Sequence, residues 1–371
     1  MNGTPSSLEA ALSAGIAALL AMQRPDGRFV YRTGPHVRAD ESRYNILRHA
    51  GALYALVECR AWSARNPADA VAAGLRWVER NHLRPIVRRR LMLAVASDDA
   101  GRGDYDVCKL GGTALFLLAA ARATEEGMIA YPLAALRALG AFLIGMQRED
   151  GGFLSKYLRD ARRADPSFAS LYYPGEAALA LLQLHRLDPE GPWLNAAESA
   201  LDQLARTGAG ATAVAPDHWS LIATARYLET QRPPEGDAQD RIRAHALRIV
   251  HVMLAEFEGD PERGGCCTRD GRTCPTATRL EGLCAIAPHL SIGDPALRTR
   301  VLAAIEQGAQ FLLEAQIPDG VRAGGFPRTS NAWLAQPGRA PDRRAEEVRI
   351  DYIQHAICGL RGALETKRLA G

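Results

Sequence analysis

The chain has 371 residues, of which 47% are hydrophobic, and its formal net charge is +3. A charge this small for this length gives no reason to expect nucleic acid or an anionic membrane as a partner. Seven cysteines at irregular spacing are typical of reduced thiols rather than of a disulfide framework. The N-terminal stretch lacks a basic region and no apolar run is long enough to span a membrane, so we predict no signal peptide and a cytoplasmic protein.

Apolar residues recur at the helical period almost throughout the chain, and the predicted helices alternate between two kinds. Amphipathic, outer helices are predicted at 7–23, 68–81, 132–147, 193–207, 239–257 and 297–315. More apolar helices, rich in small residues, are predicted between them at 43–59, 109–123, 173–187, 217–230, 278–289 and 351–365. Helices that are apolar on most faces are usually buried on most faces. We therefore predict six helical hairpins in a single all-α domain spanning residues 1–371.

A short motif recurs where three of the outer helices end. Its copies are Gln23 with Asp26-Gly27 and Phe29, Gln147 with Asp150-Gly151 and Phe153, and Gln316 with Asp319-Gly320 and Phe326. Asp-Gly indicates a turn that needs a positive φ, and the phenylalanine is predicted to anchor the loop on the core.

The hairpin count and this Gln-x-x-Asp-Gly-x-Phe motif resemble the (α/α)6 toroid superfamily. That group includes terpenoid cyclases, protein prenyltransferases, N-acylglucosamine 2-epimerases and six-hairpin glycosidases. The resemblance implies a closed ring of parallel inner helices whose N-termini surround the mouth of a central cavity. The main alternative is an open superhelix, because helical hairpins can also stack without closing.

Polar residues at the starts of the predicted inner helices form the candidate site. Helix N-termini present free N–H groups and favour anionic ligands. We predict that substrate is bound by Arg43, Asn45, Arg48, Lys109, Tyr173, His218, Trp219, Arg279 and Glu281. Glu176, Asp217 and Asp351 are predicted to orient hydroxyl groups or to supply a catalytic carboxylate pair. The structural alternative makes Asp217 a helix cap and Trp219 a core residue.

Two histidines occupy the same place in matching octets, Arg43–Ala50 and Arg349–Ala356. If the first and last hairpins of a closed ring are neighbours, His49 and His355 should lie side by side at the cavity. Histidine is suited to proton transfer near neutral pH, so we predict that both act as acid and base. The alternative is that the two histidines only tie the first hairpin to the last.

Two groups of cysteines raise the question of a metal. Asp106 and Cys108 resemble the Asp-x-Cys zinc pair of protein prenyltransferases, with a distant histidine as the third ligand. A second group comprises Cys266, Cys267, Cys274 and Cys284. Neither has the spacing of a common zinc module, so we predict no metal and no cofactor.

We therefore predict an enzyme that acts on a polar, anionic, sugar-like substrate, a small molecule or an oligosaccharide. The paired histidines slightly favour epimerisation or isomerisation over hydrolysis or elimination, for which the carboxylates would serve. A thiol- or zinc-dependent transferase or cyclase is one alternative. A non-catalytic toroid that binds a peptide or a glycan is another.

Overall fold

The computed structural model describes residues 7–37, 44–87, 91–97, 106–230, 237–259, 263–290, 294–335 and 342–370. The inner helices are α2 (Ile46–Glu58), α4 (Leu110–Glu125), α6 (Tyr173–Leu187), α8 (His218–Glu229), α10 (Thr273–Ile286) and α13 (Ile350–Ala370). The outer helices are α1 (Leu8–Ala21), α3 (Ala68–Asn81), α5 (Leu133–Gly145), α7 (Trp193–Ala209), α9 (Ala238–Glu258) and α11 (Pro295–Ala315). A short helix, α12 (Asn331–Leu334), lies in the last loop.

The inner helices form a closed ring. Each packs against the next in chain order, and α13 packs against α2, so no open edge is left between the last inner helix and the first. The outer helix α1 also packs along α13. This closure confirms the predicted (α/α)6 toroid and excludes the open superhelix.

The segments between the helices contain short β-strands, which sequence periodicity did not predict. β1 (Arg32–Thr33) pairs antiparallel with β7 (Val348–Arg349) and so joins the segment before α2 to the start of α13. A five-stranded antiparallel sheet contains β2 (Leu83–Val87), β3 (Leu91–Ser97), β4 (Val107–Lys109), β5 (Lys156–Leu158) and β6 (Arg163–Ala164), in that order. Within the described ranges, no helix combines the length and apolar character that crossing a bilayer requires.

The glutamine of the recurring loop motif hydrogen-bonds both its own turn and the following outer helix of the ring. The side-chain amide of Gln147 donates hydrogen bonds to the carbonyl oxygens of Gly151, at 2.9 Å, and Ala196 on α7, at 2.8 Å. Gly151 has φ 93°, and Phe153 is buried, as the motif predicted. The same bonds recur for Gln23 with Gly27 and Ala70, and for Gln316 with Gly324 and Ala11. In the third copy the equivalent glycine is therefore Gly324, four residues after the predicted Gly320.

Gly151→Ala should destabilise the protein more than Gly127→Ala, although both glycines have a positive φ. A left-handed backbone costs an alanine about 1–2 kcal/mol in either place. At Gly151 a Cβ would also overlap the carbonyl oxygen of Ser199 on α7, whereas at Gly127 no described atom beyond the adjacent residues lies within 4 Å of one. We expect the overlap to add about 1–3 kcal/mol, measured by urea denaturation. Equal losses would show that the contact with α7 does not require glycine.

Candidate active site

Three of the predicted residues, from three adjacent inner helices, meet inside the ring. His218 begins α8, Glu281 lies in α10 and His355 lies in α13. Nδ1 of His355 is 2.8 Å from Oε2 of Glu281, and Nε2 of His218 is 3.7 Å from the same oxygen. The two imidazole rings are nearly perpendicular, with centroids 5.2 Å apart. We call His218, Glu281 and His355 the central cluster.

The central cluster is largely shielded from water. His218 and Glu281 are buried, while the His355 side chain keeps 12% of its exposure. Burial lowers the pKa of His218 well below its usual value, and the charge of the neighbouring His355 acts in the same direction. His218 is therefore neutral in the folded protein. Trp219 is buried beside it and packs against Tyr54 at a ring distance of 6.1 Å, which supports the core role for this tryptophan.

Two predicted carboxyl groups lie near the cluster at the starts of α6 and α8. Asp217 caps α8: its Oδ1 accepts hydrogen bonds from the backbone N–H groups of Trp219, at 3.0 Å, and Ser220, at 3.2 Å. Burial nevertheless raises the pKa of Asp217 to about 7. Burial, followed by the charge of Asp217, raises the pKa of Glu176 to about 8. The Oε2 atom of Glu176 is buried without a hydrogen-bond partner in the described structure.

Asp351 is held in an ion-pair group at the seam between α2 and α13. It accepts hydrogen bonds of 2.5 and 2.8 Å from the guanidinium of Arg349, and Nε of Arg48 lies 3.0 Å away. Arg48 also donates to the hydroxyl of Tyr31. With two arginines bound, this carboxylate is suited to orienting Arg48.

The other predicted ligands have separate places. Asn45 is the N-cap of α2 and accepts a hydrogen bond of 3.0 Å from the backbone N–H of Leu47. Arg279 points outward to Glu256 of α9, at 2.8 Å. Lys109 and Tyr173 are partly exposed at the N-terminal ends of α4 and α6. Arg43 lies outside the described residues.

His49 does not lie beside His355, so that part of the prediction is wrong. Its ring stacks on Trp77 of α3 at 4.9 Å, and its Nε2 is 3.2 Å from the carbonyl oxygen of Gly74. The Tyr44 hydroxyl lies 2.7 Å from Nδ1. Burial lowers the pKa of His49 to about 3, so its neutral form is part of the hydrophobic core.

The reason is that the matching octets do not occupy matching places in their helices. Asn45 is the N-cap of α2, whereas the aligned Asp351 is already the second residue of α13. The two histidines also face different neighbours, since His49 contacts α3 and His355 contacts α10. On α2, Arg48 meets α13, and His49 turns towards α3 instead.

At four of the five cysteines that the sequence singled out, burial disfavours the reactive thiolate form. Cys108 is buried in β4, and burial raises the pKa of its thiol to about 12. Burial likewise raises the pKa values of Cys267 and Cys284 to about 12, and that of Cys274 further. Cys266 is buried against Thr276. Raised thiol pKa values disfavour the thiolate that nucleophilic or metal-binding cysteines require.

Sequence reasoning missed a charged cavity at the opposite end of the ring. About 190 Å³ in volume, it lies at the C-terminal ends of the inner helices, and its lining includes Tyr54, Glu58, Arg226, Glu281 and Arg361. Glu281 thus lies between this cavity and His355. Arg and Glu recur near the C-terminal ends of several inner helices, and this recurrence is the signal that could have indicated the cavity.

Comparisons with known proteins identify the fold. No family model matches the chain, and no curated protein matches its sequence. A D-mannose isomerase structure matches with a TM-score of 0.71 at 13% identity, covering 98% of this chain and 99% of the other. Cellobiose 2-epimerase from Spirochaeta thermophila matches at 0.68 and 14%, covering 98% and 96%. An α-1,6-mannanase variant of Salegentibacter, in complex with α-1,6-mannotriose, matches at 0.64 and 12%, covering 96% and 99%. The chain is similar to these (α/α)6 toroids in fold over nearly its whole length.

Proposed function

We propose that this protein is a sugar isomerase or epimerase that moves a proton on the carbon next to the carbonyl group of an open-chain sugar. The observation that carries the proposal is the hydrogen bond between His355 and Glu281 beside the neutral ring of His218. A carboxylate-backed histidine and a second imidazole supply the groups that such a proton transfer needs.

His355 is the proposed base. Glu281 accepts a hydrogen bond from Nδ1–H of His355, and this bond fixes the tautomer that leaves a lone pair on Nε2. The carboxylate also stabilises the imidazolium that forms when Nε2 takes the proton from carbon. If the proton returns to the same carbon on the opposite face, the product is the epimer. If it is delivered to the neighbouring carbon, the former carbonyl carbon, the product is the isomer.

His218 is the proposed hydrogen-bond donor to the substrate oxygen. As the C–H bond breaks, its electron pair moves to the carbonyl oxygen and forms an enediolate. A neutral imidazole whose pKa is lowered by burial can donate an N–H bond to that oxygen without carrying a charge beforehand. The fold shared with proteins named as a mannose isomerase and a cellobiose epimerase supports the proposed class of reaction.

We propose a polar sugar without requiring the negative charge predicted from the sequence. Arg48 is paired with Asp351, and Arg279 is paired with Glu256, so both cations already have partners. His355, whose side chain is partly exposed, is a polar contact near the N-terminal end of α13.

Hydrolysis of a glycosidic bond is the second candidate, because Glu176 has the character of a catalytic acid. Its raised pKa, about 8, would keep the carboxyl protonated at neutral pH. Glycosidases use such an acid with a second carboxyl group, for which Asp217 is the neighbour. We rank this candidate second because Asp217 already caps α8.

Proton transfer can be tested directly by incubating the protein in D2O with a panel of aldoses, ketoses and disaccharides that includes mannose and cellobiose. NMR should show deuterium at the carbon next to the carbonyl group, together with the epimer or isomer. Release of shorter sugars without deuterium at that carbon would support the hydrolase. If no sugar in the panel gives either result, the isomerase proposal is overturned.

A further inference from the structure

The imidazole of His218 is buried with both ring nitrogens lacking a hydrogen-bond partner in the described structure. Buried polar groups are nearly always bonded, because leaving one unsatisfied costs about 1–3 kcal/mol. The closest ionisable atom, Oε2 of Glu281, is 3.7 Å from Nε2, beyond hydrogen-bond distance. The ring nitrogens are therefore positioned to bind a further ligand.

The central cluster has the composition and spacing of a metal site. One ligand atom from each of His218, Glu281 and His355 can be chosen so that all three lie within 4.8 Å of one another. A tetrahedral zinc ion about 2.0–2.1 Å from its ligands places them roughly 3.4 Å apart. The separations in the described structure, at most 4.8 Å, exceed this value by no more than about 1.4 Å.

We propose that His218, Glu281 and His355 bind one divalent transition-metal ion, with Zn²⁺ as the best fit. Two imidazoles and one carboxylate form the ligand set of known open zinc sites, in which the fourth position takes water or substrate. Imidazole ligands favour zinc, cobalt or nickel over magnesium and calcium. This site is separate from the Asp106-Cys108 pair considered in the sequence.

Metal binding would also regulate the enzyme. This regulation rests on the proposed isomerase function, whereas metal binding itself does not depend on that function. An ion bound to all three side chains would break the hydrogen bond between His355 and Glu281 and would occupy the ring of His218, so neither histidine would keep its proposed role. Zn²⁺ should therefore inhibit the isomerase, and a chelator should restore it. Metal binding is measured without any sugar, so its failure is distinguishable from failure of the isomerase proposal.

The test is titration of metal-free protein with Co²⁺, followed by displacement with Zn²⁺. Visible absorption bands typical of tetrahedral Co²⁺ should saturate at about one ion per chain and disappear when Zn²⁺ is added. His218→Gln and Glu281→Gln should each weaken Co²⁺ binding by about 100-fold or more, since each removes a ligand. Circular dichroism establishes that both variants are folded.

Two control variants test whether residues outside the central cluster bind the metal. His251→Gln removes an exposed histidine of α9, and Cys108→Ala removes the thiol of the Asp-x-Cys pair. Both should bind Co²⁺ as the wild type does. Absence of saturable binding, or unchanged binding in folded His218→Gln and Glu281→Gln, would overturn the proposal. Loss of binding only in Cys108→Ala would assign the metal to the other pair.

Discussion

Replacing His355 with asparagine should lower sugar turnover by roughly 10²–10⁴-fold while leaving the protein folded. The asparagine amide nitrogen takes approximately the position of Nδ1, so the hydrogen bond to Glu281, 2.8 Å in the native protein, can be kept. Only the Nε2 lone pair, the proposed base, is lost. Turnover is measured as deuterium incorporation, with a chelator present so that metal does not inhibit the wild type.

His49→Gln is the matched control for this experiment. The ring of His49 bonds to Gly74 and Tyr44 instead of to the central cluster. Loss of these buried bonds should destabilise the protein by about 1–3 kcal/mol and leave turnover unchanged. The opposite pattern, with turnover lost in His49→Gln and retained in His355→Asn, would contradict the assignment of His355 as the base.

Glu58→Gln should cause the largest loss of stability, about 3–5 kcal/mol, because it removes a buried anion shared by three arginines. The Glu58 carboxylate is buried at the end of α2, 2.6 Å from Nε of Arg122 and 3.1 Å from Nη1 of Arg361. Arg226 lies 4.0 Å away. Without the carboxylate, three cations from three other inner helices lose the charge that holds them together.

The loss should depend on pH in a predictable direction. Burial alone would raise the pKa of Glu58, but the charges of Arg361, Arg122 and Arg226 lower it to about 2. The unfolded carboxyl therefore binds a proton at a higher pH than the folded one. The stabilising effect is complete above the unfolded pKa of about 4.5 and disappears as pH falls towards 2.

Urea denaturation of wild type and Glu58→Gln at pH 7 and pH 3 measures this dependence. The difference between the two proteins should shrink at pH 3. Glu365→Gln is the matched control, because Glu365 also pairs with Arg361, at 3.5 Å, but its side chain is 43% exposed. Exposed pairs contribute about 0–1 kcal/mol. A pH-independent difference, or equal losses in the two variants, would refute a charge role for Glu58.

Much of the helical framework could be predicted from periodicity. The predicted helices at 68–81 and 173–187 coincide with α3 and α6. The predicted start of α10 is five residues too late. Pro275 was interpreted as part of the preceding loop, but it lies in the first turn of the helix, where proline is tolerated. The sheet was missed because its strands are short and β3 is mostly buried rather than alternating.

The candidate site was predicted in composition but not in pairing. His218, Glu281 and His355 were all named, yet the octet repeat led to the pairing of His355 with His49. Ring topology was the better guide: α10 lies between α8 and α13, which brings a residue of α10 between the histidines of its neighbours. Sequence similarity between two helix starts does not reveal which face each side chain occupies, because that depends on how each helix packs in the ring.

The closure of the ring also determines how the chain must fold. Contacts of α13 with α1 and α2 join segments roughly 300 residues apart, and the ion pair between Glu9 and Arg368, at 2.6 Å, is one of them. Such non-local contacts form late, because the entropy of closing the intervening loop is lost before they contribute. During synthesis α2 lacks one of its two ring neighbours until residues 350–370 have left the ribosome. The incomplete ring therefore exposes apolar surface in that interval, when a nascent chain is most open to chaperones and to aggregation.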